Sequence, residues 1–226
     1  MGEKIYLVLY ELSILILKFT LVNVLWIIVN VPVFIVLIQI GLTTEPSNLF
    51  VLLPLLSLFL PLLFFPGTLA LISSTRELIL KDATFNPLTF FKDYKRGFKK
   101  SFLIGMVYTS LLTVGGYVFF LTYQSNLILS LILIVLFFYL SIVVFYLLYL
   151  DAHYNMSMRW KVKQTTVLIL KHPLFASGNF IIFLSLHYII YAVNFILFVL
   201  FGTTLTVYAT YYLFIRKLDK IKTKVS

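Results

Sequence analysis

The sequence predicts an all-α fold: a polytopic membrane bundle of six spans with both termini cytoplasmic and basic amphipathic helices on its inner surface. Three observations predict it. Of the 226 residues, 62% are hydrophobic and the mean hydropathy is +1.05, more apolar surface than a soluble domain can bury. Only 12% are charged, yet the net charge is +10. The 18 Lys and Arg residues fall in four short clusters with charge-free runs between them. A basic chain can bind nucleic acid, but these charges flank apolar spans and cover no soluble face. The expected counter-surface is a bilayer with an anionic inner leaflet, with no nucleic acid bound.

Each element follows from those runs. Residues 19–44, 46–75, 101–150 and 173–215 contain no Asp, Glu, Lys or Arg. A span needs about 20 residues, so the first two runs hold one helix each, about 12–40 and 49–75. The third holds two, 101–122 and 127–150, around a turn at Tyr123-Gln124-Ser125-Asn126. Basic residues crowd two connectors, 76–100 and 151–172, and the C-terminal end; the loops 41–48 and 122–126 have none. The positive-inside rule puts the crowded segments in the cytoplasm. The last run must then cross twice, as 174–195 and 201–217, with its outer turn within 194–204. A break at Asn194 and one at Gly202-Thr203-Thr204 both fit. The amino end shows no small-residue cleavage site, so the first span is expected to be retained. Pro32, Pro54, Pro61 and Pro66 each remove a backbone donor. They read either as packing around a curved bundle or as broken helices lining a cavity.

The connector 76–100 is patterned. Phe91, Tyr94, Phe98 and Phe102 form one helical stripe, and Lys92, Lys95, Arg96, Lys99 and Lys100 cover the rest. That pattern predicts a basic amphipathic helix on the inner leaflet, a surface for lipid or a partner. Asn86-Pro87 reads as its N-cap and first residue. The second connector echoes it at an offset of 69: Asp82 through Asn86 matches Asp151 through Asn155, and Lys92 falls on Lys161. The echo reads either as a duplication or as two helix exits with the same needs.

Chemistry is sparse. With no Cys, disulfides and thiolate catalysis are excluded. No zinc-protease helix, phosphate-cradling loop or nucleophile elbow appears, so no catalytic residue, metal site or cofactor is expected. His187 is the ionisable residue within a span. Asn23, Asn30 and Gln39 extend a polar strip along the first helix, and Asn194 lies near the end of the fifth. The strip reads either as interhelical glue or as the lining of a path. Tyr123, Tyr146, Tyr149, Tyr211 and Tyr212 read as interface anchors.

Several segments carry a resemblance. Asn23-Val24-Leu25-Trp26 through Pro32-Val33, Pro66-Gly67-Thr68-Leu69-Ala70-Leu71, Arg76, and Phe90 through Lys100 resemble signatures of the YesL-like bacterial membrane proteins. Asp151 to Lys171 and Phe201-Gly202-Thr203 to Arg216-Lys217 are similar more loosely. In many relatives the Pro-Val and the glycine turn lie a few residues apart; here about 33 residues intervene, which lengthens the first two helices. The family is one of unknown function, often encoded beside sugar-uptake ABC transporter components. The resemblance implies a bacterial plasma membrane location and an accessory role in carbohydrate uptake. Two functions are therefore carried forward: a non-catalytic partner of a membrane assembly such as a carbohydrate ABC transporter, and a small-molecule transporter or channel built on the polar strip. Oligomeric state is not legible.

Overall fold

Each charge-free run folds as helix, the conformation in which a backbone surrounded by lipid satisfies its own hydrogen bonds. The computed structural model describes residues 2–80, 87–123 and 125–222; no strand occurs among them. It contains α1 (Gly2–Leu42), α2 (46–80), α3 (Pro87–Thr122), α4 (Leu127–His153), α5 (Met158–Lys171), α6 (Pro173–Val193) and α7 (195–222). All but α5 are long and apolar enough to cross a membrane. Their outward faces, such as Ile128, Leu131, Ile132 and Val135 of α4, are exposed and apolar, the surface that lipid rather than water solvates. Asp82 and Asn86, half of the echo, lie outside the described residues.

The turns follow local chemistry. Asn126 starts α4 by accepting the Leu129 N–H at 3.0 Å. Ser157, not Asn155, caps α5, accepting the Trp160 N–H at 3.4 Å; Asn155 is exposed in the link before it. The chain reverses into α7 at Asn194, whose Oδ1 accepts the N–H groups of Ile196 (2.8 Å) and Leu197 (3.2 Å). Gly202, Thr203 and Thr204 lie inside α7.

The second half of α2 is the hub. Its residues from Phe65 to Thr75 are buried on nearly every side, against α1, α3, α4 and α7. A span that faces lipid keeps one face bare; this stretch is clothed in protein instead. The surplus apolar length of run 46–75 is therefore core.

The basic helix at 87–100 forms, but not as a separate surface element. It is continuous with the third span as α3. After Pro87 no proline interrupts it until Thr122, and one face runs unbroken along α2. Phe90, Asp93, Ser101, Ile104 and Gly105 are buried on that face. Thirty-six residues make about 54 Å of helix, against about 30 Å of hydrocarbon, so the basic turns project beyond the bilayer. The echo diverges here. Pro173 disfavours helix at His172, which takes φ −135° and ψ 57°, and so α5 ends before α6 begins.

Two glycines let α2 and α3 approach. A Cβ on Gly105 would sit 2.8 Å from the Pro61 Cα and 2.7 Å from the Phe65 ring, whereas one on Gly97 would meet only the tip of Leu69 at 2.5 Å. A side-chain tip moves and a backbone atom does not. Gly105→Ala should therefore lower stability by about 1–3 kcal/mol, with Gly97→Ala costing less. Equal unfolding midpoints for the two variants in detergent would refute this order.

Candidate functional site

Two turns of the bundle open into π-helix, Leu60–Phe64 in α2 and Phe198–Gly202 in α7. A π turn widens the helix and frees backbone groups from the regular ladder. In lipid those groups need partners, and the polar side chains supply them. Pro66 has no N–H to offer the carbonyl four residues back, that of Leu62. The Tyr94 hydroxyl donates to that carbonyl at 2.9 Å.

Asn23 does the same for α7, at 0% exposure. Its amide donates to the carbonyls of Phe198 (3.2 Å) and Val199 (2.7 Å). Its Oδ1 accepts the Thr204 N–H (3.0 Å) and hydroxyl (3.2 Å). One side chain thus spans the wide turn from both ends and ties α1 to α7.

The rest of the strip is dispersed. Asn30 is buried and donates back to Trp26 in its own helix at 2.8 Å, while its Oδ1 is buried without a hydrogen-bond partner. Gln39 is exposed on α1. His187 stacks on Phe183 and meets the edge of Phe198 at 4.8 Å between centroids. Asn194 holds the exposed turn. Asn23 and His187 both reach the same π turn at Phe198, the first through its carbonyl and the second through its ring; the other three do not join them.

A polar cluster that sequence reasoning missed lies toward the basic end. Tyr146, Tyr149 and Tyr211 are fully buried, not interface anchors, whereas Tyr123 and Tyr212 are exposed. The Tyr149 hydroxyl pairs with Thr210 at 2.7 Å. Asn179 donates to Tyr146 (3.3 Å) and to the Thr210 carbonyl (3.1 Å). Tyr211 meets His153 Nδ1 at 3.0 Å. The legible signal was Thr206 and Thr210, one turn apart in an apolar run. Each returns its hydroxyl to the carbonyl four residues back, which frees small side chains for close packing. Below this cluster, the buried Lys161 of α5 pairs with the buried Asp151 of α4. The Asp and Lys of the echo are therefore a working contact in its second copy.

The cations of α3 sit differently. Lys92, Lys95, Arg96, Lys99 and Lys100 are all exposed and recur at three- and four-residue steps, so they share one face. The opposite face buries Phe90 and sets Gly97 against Leu69 of α2. Asp93 pairs with Arg96 at 2.7 Å. Burial pushes its carboxyl above its ordinary pKa, opposed by Arg96, Lys92 and Arg76. A raised carboxyl binds its proton more tightly folded than unfolded, so its contribution to stability is present at low pH. It fades as pH rises from about 4 through the raised value. Asp93→Asn should flatten that part of the pH–stability profile; an unchanged slope would refute the assignment.

Residues 19–123 match the model of a family described as a protein of unknown function, DUF624. Neither a curated protein nor a solved structure matches the chain. The matched stretch runs from the α1 residue beside Tyr208, through the α2 hub, to the end of α3, and so includes the basic face.

Proposed function

We propose that this multi-pass membrane protein is a non-catalytic partner of a larger membrane assembly, docking through the projecting basic face of α3. One observation carries the reading: five exposed cations share a face of a helix that cannot swing. Phe90 is buried behind them, Tyr94 is tethered to Leu62, and Gly97 lies against Leu69. A rigid charged face fixes the register of an acidic partner and steers its approach. In the orientation set by the basic clusters, this face is cytoplasmic. That is where the ATP-hydrolysing subunits of a carbohydrate ABC transporter stand, and the resemblance noted above makes such a transporter the first assembly to test. The transport reading has less support, because Asn23 repairs backbone, His187 stacks on aromatic rings, Asn194 caps a turn and Gln39 faces outward, so the strip forms no continuous lining.

The test is affinity capture of the full chain from its native membrane in mild detergent, without cross-linker. Sugar-transporter subunits should co-purify with wild type. They should be lost from a variant with Lys95, Lys99 and Lys100 changed to Gln, at an unchanged unfolding midpoint, with Lys92 and Arg96 kept because they face the buried Asp93. Wild type that purifies alone, or a variant that keeps its partner, would overturn the proposal.

A further inference from the structure

A cavity of about 280 Å³ opens among basic residues of the second connector, and no residue of α3 lines it among the described residues. It lies where the end of α4, the short helix α5 and the tail of α7 meet. Its walls are apolar, with Leu150, Leu168, Leu218 and Ile221 among them. Trp160 stands at one side, and Lys171 and His172 at the rim. Among the described residues no carboxylate lines it; the nearest acid in sequence is Asp219, beside Leu218 on α7.

The surroundings say what fits. Leu170 and Leu174 flank the two basic rim residues in sequence and are 67% and 90% exposed. Apolar side chains left that bare beside a lysine mark a corner at the level where acyl chains give way to headgroups. Lys217 is not one of the cavity's walls, but it neighbours Leu218 in sequence and extends over the ring of Phe175, three residues past His172, at 5.4 Å. An aromatic indole at that level is the usual companion of a lipid interface. Basic pockets between helices on this side of a membrane hold anionic headgroups.

We propose that this cavity is a binding site for one anionic phospholipid of the cytoplasmic leaflet. An acyl chain lies along Leu150, Leu168 and Leu218, and the phosphate sits between Lys171 and Lys217. The Lys161–Asp151 pair holds α5 in place over the chain, because Lys161, Gln164 and Leu168 rise along one side of that helix. The site is separate from the α3 face and does not depend on the partner role proposed for it.

The experiment is a lipid titration of the full chain in detergent, read by native mass spectrometry. Phosphatidylglycerol and phosphatidylcholine of identical acyl chains are compared. Phosphatidylglycerol should bind one per chain at least tenfold tighter than phosphatidylcholine. Lys171→Glu with Lys217→Glu should abolish that preference. Val167→Trp, which fills the cavity without touching charge, should weaken both lipids. Equal affinity for the two lipids would mean an unselective lipid annulus and overturn the proposal. Competition by glycerol 3-phosphate at the same concentrations as the lipid would mean a soluble-anion site and overturn it as well. Should a variant fail to fold, the wild-type comparison of the two lipids and the chainless headgroup decides alone.

Discussion

Asn23→Leu should lower the stability of the folded protein by about 2–3 kcal/mol. Leucine keeps the branched skeleton of asparagine and is somewhat bulkier, so no cavity forms and the lost hydrogen bonds dominate the cost. Four contacts disappear together: two carbonyls, one N–H and one hydroxyl, all at the π turn of α7. Interhelical bonds in membranes average about 0.6 kcal/mol each, which sets the lower figure. The freed groups stay buried in a widened turn, and an orphaned buried polar group costs about 1–3 kcal/mol, which pushes the sum up. Asn30→Leu is the internal control. That side chain bonds only within its own helix and already carries an unpartnered oxygen, so its removal should cost well under 1 kcal/mol. Reversible unfolding in mixed detergent measures both. If the two variants lose the same stability, the clamp at α7 is not what Asn23 provides.

The second large effect concerns the ion pair between α4 and α5. Lys161 and Asp151 have side-chain exposures of 1% and 5%. Removing either partner strands a charge where water does not reach, so Asp151→Asn and Lys161→Met should each cost about 3–5 kcal/mol. Replacing both with apolar residues of similar size, Asp151→Leu with Lys161→Met, should recover most of that, because a buried pair is worth little against an apolar substitute. The decisive quantity is the coupling energy. Single losses that simply add would mean the two residues act independently, contrary to the geometry.

How much of this was legible follows from what side chains advertise. Six long apolar helices could be read because charge is excluded from lipid and gathers at its edges. The π turns could not be read: nothing in Phe198 to Gly202 distinguishes a wide turn from a regular one. Asn23 stood out as polar, but its partners, three backbone groups and the Thr204 hydroxyl, lie some 175 residues away or more. The buried tyrosines were misassigned for a related reason. A Tyr near a span end suits either an interface or a polar core, and only the facing Thr210 and Asn179 decide. The union of the basic helix with the third span was, in hindsight, visible as an absence. Nothing between Pro87 and Thr122 breaks a helix with the force that Pro173 does.

That one proline makes the two halves mechanically unequal. On the α3 side, a load applied at Lys92 acts on an unhinged rod of about 54 Å. Any tilt at its basic end reappears, reversed in direction, at Thr122 beyond the opposite face of the bilayer. On the other side, the joint at His172-Pro173 separates α5 from α6, and the Lys161–Asp151 pair ties α5 to α4 instead. A partner gripping α3 moves the far side of the bundle, whereas whatever sits under α5 acts on α5 and, through the Lys161–Asp151 pair, on the end of α4.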